Sequence, residues 1–209
     1  MSNRLVIALA VIAAPVIASA QQRPAPSKSV FTQTAVLAGG CFWGVEAVYE
    51  HTKGVVDVVS GYAGGDASSA NYEAVGSGST RHAESVRITF NPARISYEQI
   101  LKIFFSVVHD PTQLNRQGPD IGPQYRSAIF YSNAEQQAAA KAFIAQLTAS
   151  RAFPRPIVTA VAPLEGFFVA EKYHQDFVTN NPKHPYVVYH DLPKLVRLKS
   201  EFPEVFSGR

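Results

Sequence analysis

Residues 34–51, TAVLAGGCFWGVEAVYEH, decide how the rest of the chain is read. Thr34 to Ala38 is a short apolar run suited to a buried strand, Gly39-Gly40 permits a sharp turn, and a helix is expected from about Phe42 to His51. Cys41 then stands at the amino end of that helix. The partial positive charge and unpaired N–H groups of a helix start favour a thiolate and can lower a free thiol's pKa from ~8.5 by one or more units. The flanking glycines let another molecule approach the sulfur, and Phe42 and Trp43 offer apolar faces of the kind that select a methyl or thioether. Taken singly, a cysteine and two aromatics are most often inert core residues. Two adjacent aromatics on a helix's first turn cannot both face one core stripe, so at least one is expected to line a cleft.

Outward from this turn, Val55 to Ala63 and Glu84 to Phe90 read as strands with a polar loop between them. Ser96 with Gln99 makes a capping box ahead of Ile100, Leu101, Phe104, Val107 and Val108 at helical spacing. Arg126 to Tyr131 reads as a strand, and Ser132 with Glu135 caps an alanine-rich helix to about Thr148. Ile157 to Ala162 is a further strand, Phe167 to Val178 a last helix, and the proline- and aromatic-rich chain from Asn181 onward is expected to wrap the surface. Strands and helices interleave without strict alternation, which predicts an α+β fold: a single two-layer domain with a mixed β-sheet and helices packed on it. The 17-residue connection from His109 to Tyr125 mixes glycine and proline with bulky Leu114, Ile121 and Tyr125, the composition of an ordered loop at a site.

The first twenty residues are set apart from this domain. Arg4 precedes an apolar run from Leu5 to Ile17, and Ala18-Ser19-Ala20 has the small-x-small form of a signal-peptidase site, so residues 1–20 are expected to be a signal peptide cleaved after Ala20. That run is shorter than the ~20 residues a membrane span needs and is broken by Pro15, so no stable membrane association is expected after cleavage. Residues 21–33 form a flexible lead, and residues 34–209 the folded domain. With Arg4 removed, 18 basic residues face 16 acidic ones without a basic block, which argues against a nucleic-acid partner. The chain has one cysteine, which rules out an intramolecular disulfide in a compartment where cysteines are commonly paired, and its one methionine, Met1, leaves with the signal. The six histidines lack zinc-site spacing, so no metal is expected.

Gly39-Gly40-Cys41-Phe42-Trp43-Gly44 resembles the nucleophile turn of the A-type peptide methionine sulfoxide reductases, the S-epimer-specific enzymes. The resemblance continues through Ser60–Gly65, Asn71-Tyr72, His82–Arg87, Tyr97–Leu101, His109–Pro111 and Gly122–Ser127, covering most of residues 35–180. It implies a nucleophile at Cys41, a pocket for the sulfoxide methyl at Phe42 and Trp43, and a proton donor at Glu84. Tyr72, Asp120 and Tyr125 match positions that hydrogen-bond the sulfoxide oxygen or order water around it. Chemistry explains the residue types: a sulfoxide oxygen leaves only when protonated, and a carboxyl keeps its proton near neutral pH only where it is desolvated. Without the resemblance, Glu84 would read as a surface carboxylate paired with Arg81 or Arg87, the tyrosines as core-edge packing, and Asp120 as a turn residue.

The tail departs from many relatives in having no second cysteine. The chain therefore resembles the single-cysteine members, in which an outside thiol attacks the Cys41 sulfenic acid: a thioredoxin-like protein, glutaredoxin with glutathione, or dithiothreitol in the test tube. The expected partners are that reductant and oxidised proteins or free methionine sulfoxide, with no bound cofactor, a monomeric enzyme and a periplasmic or secreted location. Two other readings compete: a non-catalytic module that binds oxidised methionine, and a cysteine hydrolase using one of the histidines.

Overall fold

The computed structural model describes residues 31–208. The expected signal peptide and most of the lead therefore lie outside the described residues. Strand β1 (Gln33–Gly39) is central, with β3 and β6 on either side. Its side chains alternate: Ala35 and Leu37 enter the main core beneath the helices, while Val36 and Ala38 join a smaller cluster on the opposite face with Ala63, Ala83, Ala128 and Phe130. This period of two is what the apolar run of residues 34–38 implied for a strand buried on both faces.

Helix α1 (Phe42–Glu50) follows Cys41 directly, then β2 (Val55–Ala63). A short helix α2 (Tyr72–Gly76) occupies the expected polar loop, capped by the Asn71 side chain accepting the Ala74 N–H at 3.0 Å. Strand β3 (Ala83–Phe90) leads to α3 (Tyr97–Ile103), where the Ser96–Gln99 capping box is formed. A π-type turn over Phe104–Val108 carries the helix onward and buries Phe104, Val107 and Val108 as their spacing required. The 109–125 connection is ordered around a two-stranded ribbon, β4 (Arg116–Gln117) with β5 (Asp120–Ile121).

Beyond it lie β6 (Ser127–Tyr131), α4 (Ala134–Ala149), β7 (Ala160–Pro163) and β8 (Phe167–Val169), then α5 (Phe177–Asn180) and α6 (Leu192–Glu201). The main sheet runs β7-β6-β1-β3-β2-β8; its pairs are antiparallel except β6–β7, which is parallel. One mixed sheet with helices packed on it is the α+β arrangement expected. No helix among the described residues is long and apolar enough to cross a membrane.

Three local expectations are corrected. The cap of α4 is Asn133, whose side chain accepts the Gln136 N–H at 2.8 Å, and not Ser132. The segment 167–178 is no single helix: Phe167–Val169 pairs with β2, a 3-10 turn covers Lys172–His174, and only four residues from Phe177 are helical. The ladder that an open edge of β2 offers outweighs a weak helical pattern, and Asp176 at φ 53° breaks any continuous helix. Finally, the tail does not merely wrap the surface. Leu198 and Phe202 are buried with the main core and Asp191 is fully enclosed. Pro193 is tolerated there because it falls in the first turn of α6, where its missing N–H has no intrahelical partner to lose.

Candidate active site

Gly40 makes the turn into α1 with φ +93°, and a Cβ there would lie 2.7 Å from the Gln117 side chain. The turn delivers Cys41 as the N-cap of α1, only 8 % exposed. The first free N–H of the helix, that of Phe42, donates to Glu84 Oε2 at 3.0 Å. Glu84 reaches it from β3 and is 2 % exposed. Neither arginine expected as an alternative partner meets it: Arg81 pairs with Asp66 at 3.1 Å, and Arg87 lies over the Phe167 ring.

Burial pushes the Glu84 carboxyl up to about 8, the nearby Asp120 adding to the shift while the Phe42 N–H and the Cys41 thiol oppose it. The acid is therefore protonated at neutral pH. Cys41 goes the other way from the expectation of a helix-activated thiolate. Burial above all, then the charges of Glu84 and Asp191, raise the thiol well above its ordinary value; the Trp43 N–H and Lys194 pull down without prevailing. Desolvation of a sulfur anion outweighs the helix terminus, one of whose N–H groups is engaged by Glu84.

The two aromatics divide. Phe42 is 1 % exposed, packed against Tyr62 and His174 at ring-centre distances of 5.9 and 5.0 Å. Trp43 is the one only partly buried: Phe177 stacks on it at 3.6 Å, Tyr186 meets it edge-on at 5.7 Å, and its indole N–H donates to His174 Nδ1 at 3.1 Å. Glu171 holds the next element, accepting the Tyr62 hydroxyl at 2.8 Å and the Tyr72 N–H at 2.9 Å, which fixes α2 beside β2. The Tyr72 and Tyr125 phenols are both raised, first by burial and then by Glu84, with Cys41 and Asp120 contributing to each. Asp120 accepts the hydroxyl of Tyr186, and both line a cavity of about 150 Å³ with Cys41, Gln117, His190 and Lys194.

All seven residues singled out in the sequence thus converge around one sulfur. Tyr186, Asp191 and Lys194 were missed. Asp191 and Lys194 stand three residues apart beside Leu192 and Leu195, a helical spacing that places them together.

A family model described as "Peptide methionine sulfoxide reductase" matches residues 33–205. The chain belongs to the peptide methionine sulfoxide reductase family.

Among curated relatives, a peptide methionine sulfoxide reductase MsrA 2 of Mesorhizobium japonicum is 53% identical over 178 residues, covering 85% of this chain and 91% of the relative. The MsrA 2 of Synechocystis is also 53% identical, over 85% of this chain and 83% of its own. Among solved structures, Mxr1 of Saccharomyces cerevisiae in reduced form superposes with a TM-score of 0.69 at 33% identity, covering 73% of this chain and 87% of its own. Methionine sulfoxide reductase A of Corynebacterium diphtheriae gives 0.65 at 32% identity, covering 72% and 76%. This reductase is an MsrA-type oxidoreductase that reduces methionine sulfoxide at the expense of a thiol reductant.

Proposed function

We propose that Cys41 is the nucleophile, Glu84 the acid, and methionine-S-sulfoxide the substrate, free or within proteins. The single observation that carries this reading is the meeting of a buried thiol and a buried protonated carboxyl at the first turn of α1, with Glu84 Oε2 tied to the Phe42 N–H at 3.0 Å. That bond anchors one carboxyl oxygen and leaves the other to carry the proton. The sulfur attacks the sulfoxide sulfur, Glu84 delivers its proton to the sulfoxide oxygen and takes up the thiol's proton, and Tyr72 and Tyr125 donate hydrogen bonds to the oxygen without adding charge. The net step is Cys41 thiol plus sulfoxide to Cys41 sulfenic acid plus methionine, the thiol sulfur being oxidised by two electrons and the sulfoxide sulfur reduced. Trp43, held by Phe177, Tyr186 and His174, forms the methyl wall, and Phe42 backs it from the core. Asp120, joined to Tyr186, orders water beside the oxygen.

With no second cysteine in the chain, one outside thiol forms a mixed disulfide with Cys41 and releases water, and a second restores the Cys41 thiol. A thioredoxin-like protein, glutaredoxin with glutathione, or dithiothreitol can serve. Mxr1 has been captured in complex with Trx2, which supports a protein reductant. Residues 1–20 act as a cleaved export signal, placing a monomeric enzyme in the periplasm or outside the cell; an exported protein beginning at Gln21 would bear this out, and a retained Met1 would overturn it.

The deciding assay incubates the protein with each methionine sulfoxide epimer and excess dithiothreitol. Methionine forms from the S epimer alone on this reading. Saturable binding without product would leave a binding module, and cleavage of thioesters without sulfoxide reduction a hydrolase; the buried, protonated acid beside the sulfur favours neither.

A further inference from the structure

The tail without a cysteine brings a charge pair to Cys41. A π-type turn over Val187–Asp191 runs into α6, and Lys194 Nζ donates to Asp191 Oδ1 at 3.3 Å. The Asp191 side chain is 0% exposed and that of Lys194 17%. Asp191 Oδ2 has no hydrogen-bond partner. The pair is seated against Gly44, three residues after Cys41. A Cβ at that position would stand 2.1 Å from Asp191 Oδ1 and 2.5 Å from Lys194 Nζ, so a side chain there would drive both groups off the helix.

A buried ion pair with an unsatisfied oxygen is a costly way to close a tail over a helix, since apolar residues of similar size serve stability as well or better. The pair's neighbour, however, changes charge. Around the sulfur stand Glu84 from β3, Tyr72 from α2, Asp120 and Tyr125 from the 109–125 connection, and Tyr186, His190, Asp191 and Lys194 from the tail. Among these, Lys194 is the one lysine, and it shares a cavity wall with Cys41.

We propose that Asp191 and Lys194 are positioning residues that act through Cys41: the Lys194 ammonium balances the sulfur's charge whenever it ionises, and Asp191 holds that ammonium in place and attenuates it. Their opposite influences on the thiol, Asp191 upward and Lys194 downward, agree with this division. The inference rests on Cys41 being the nucleophile.

The test uses the chain's one cysteine, because alkylation by iodoacetamide then reports Cys41 alone. Rates are followed between about pH 6 and 10.5, with no sulfoxide present, for the parent, Asp191→Asn, Lys194→Met and Lys194→Arg. Lys194→Met is expected to displace the rising limb of the rate profile to higher pH and slow alkylation at pH 8 by about tenfold, Asp191→Asn to displace it to lower pH with a similar acceleration, and Lys194→Arg to stay near the parent. Limbs displaced in the same direction in the Asn and Met variants, or not displaced, overturn the proposal. Acceleration in both is the mark of a tail that has merely loosened. Failure here leaves the reductase reading intact, since alkylation needs no sulfoxide; failure of methionine formation would sink that reading without changing these rates.

Discussion

Glu46 and Glu84 are two buried carboxyls at α1, 1 % and 2 % exposed, and burial pushes both up to about 8. They do different work. Glu46 accepts the Ser60 N–H at 3.2 Å with one oxygen and the Asp176 N–H at 3.0 Å with the other, tying α1 to β2 and to the chain before α5. Glu84 gives one oxygen to the Phe42 N–H and has a thiol and two phenols facing it. A raised carboxyl pKa is thus no mark of catalysis by itself. What separates the two is whether the carboxyl faces other proton-bearing groups, as Glu84 does, or only backbone N–H groups, as Glu46 does.

The strongest way to test this contrast is to remove the sulfur that Glu84 faces. Cys41→Ser is expected to lower kcat/KM for methionine-S-sulfoxide by at least about 10⁴-fold with little change in thermal unfolding. Retained turnover would empty the comparison of meaning. Glu84→Gln should lower kcat/KM by about 10²–10³-fold, whereas Glu46→Gln, which meets no reacting atom, should leave it within about twofold. Equal losses in steady-state assays would show that the two carboxyls are not distinct. On the proposed mechanism Glu84 acts in its protonated form, so kcat/KM should fall about tenfold per unit above roughly pH 8. That alkaline limb should persist in Glu46→Gln and vanish in Glu84→Gln. Tyr186→Phe, which releases Asp120, should cost about tenfold or less in kcat.

The smallest effect sharpens the structural half of the comparison. Both carboxyls have folded values near 8 against an ordinary value of 4.5, so the folded state binds more protons between those limits. Their contribution to stability is complete below about pH 4.5 and is lost as pH rises to about 8. Glu46→Gln keeps one acceptor oxygen for the Asp176 N–H, and the Ser60 N–H retains Gln175 Oε1 at 2.9 Å, so the substitution should cost only about 1 kcal/mol or less in acid conditions. Its melting temperature should then decline less steeply than the parent's between pH 5 and 8. A variant as pH-sensitive as the parent would remove Glu46 from this account.

Much of this could be read in advance where the cause is local. The Ser96–Gln99 capping box and the alternation of residues 34–38 depend on neighbours within a few positions, and both formed as written. Segment 167–178 departs from the expected helix because its fate depends on the open edge of β2, about a hundred residues earlier in the chain. The same limit hid the tail: Tyr186, Asp191 and Lys194 acquire meaning only once the tail is folded against Asp120 and Gly44.

By itself, then, the sequence determined where the thiol sits, on a glycine turn at a helix start, because backbone geometry and periodicity are set by adjacent residues. It also excluded a disulfide within the chain, by having one cysteine. The tertiary structure decided the direction in which the thiol's pKa moves, which of Phe42 and Trp43 is only partly buried, and which charges the sulfur feels. Desolvation and Coulomb interactions depend on what lies within a few ångströms in space, and at Cys41 that includes residues 150 positions away along the chain.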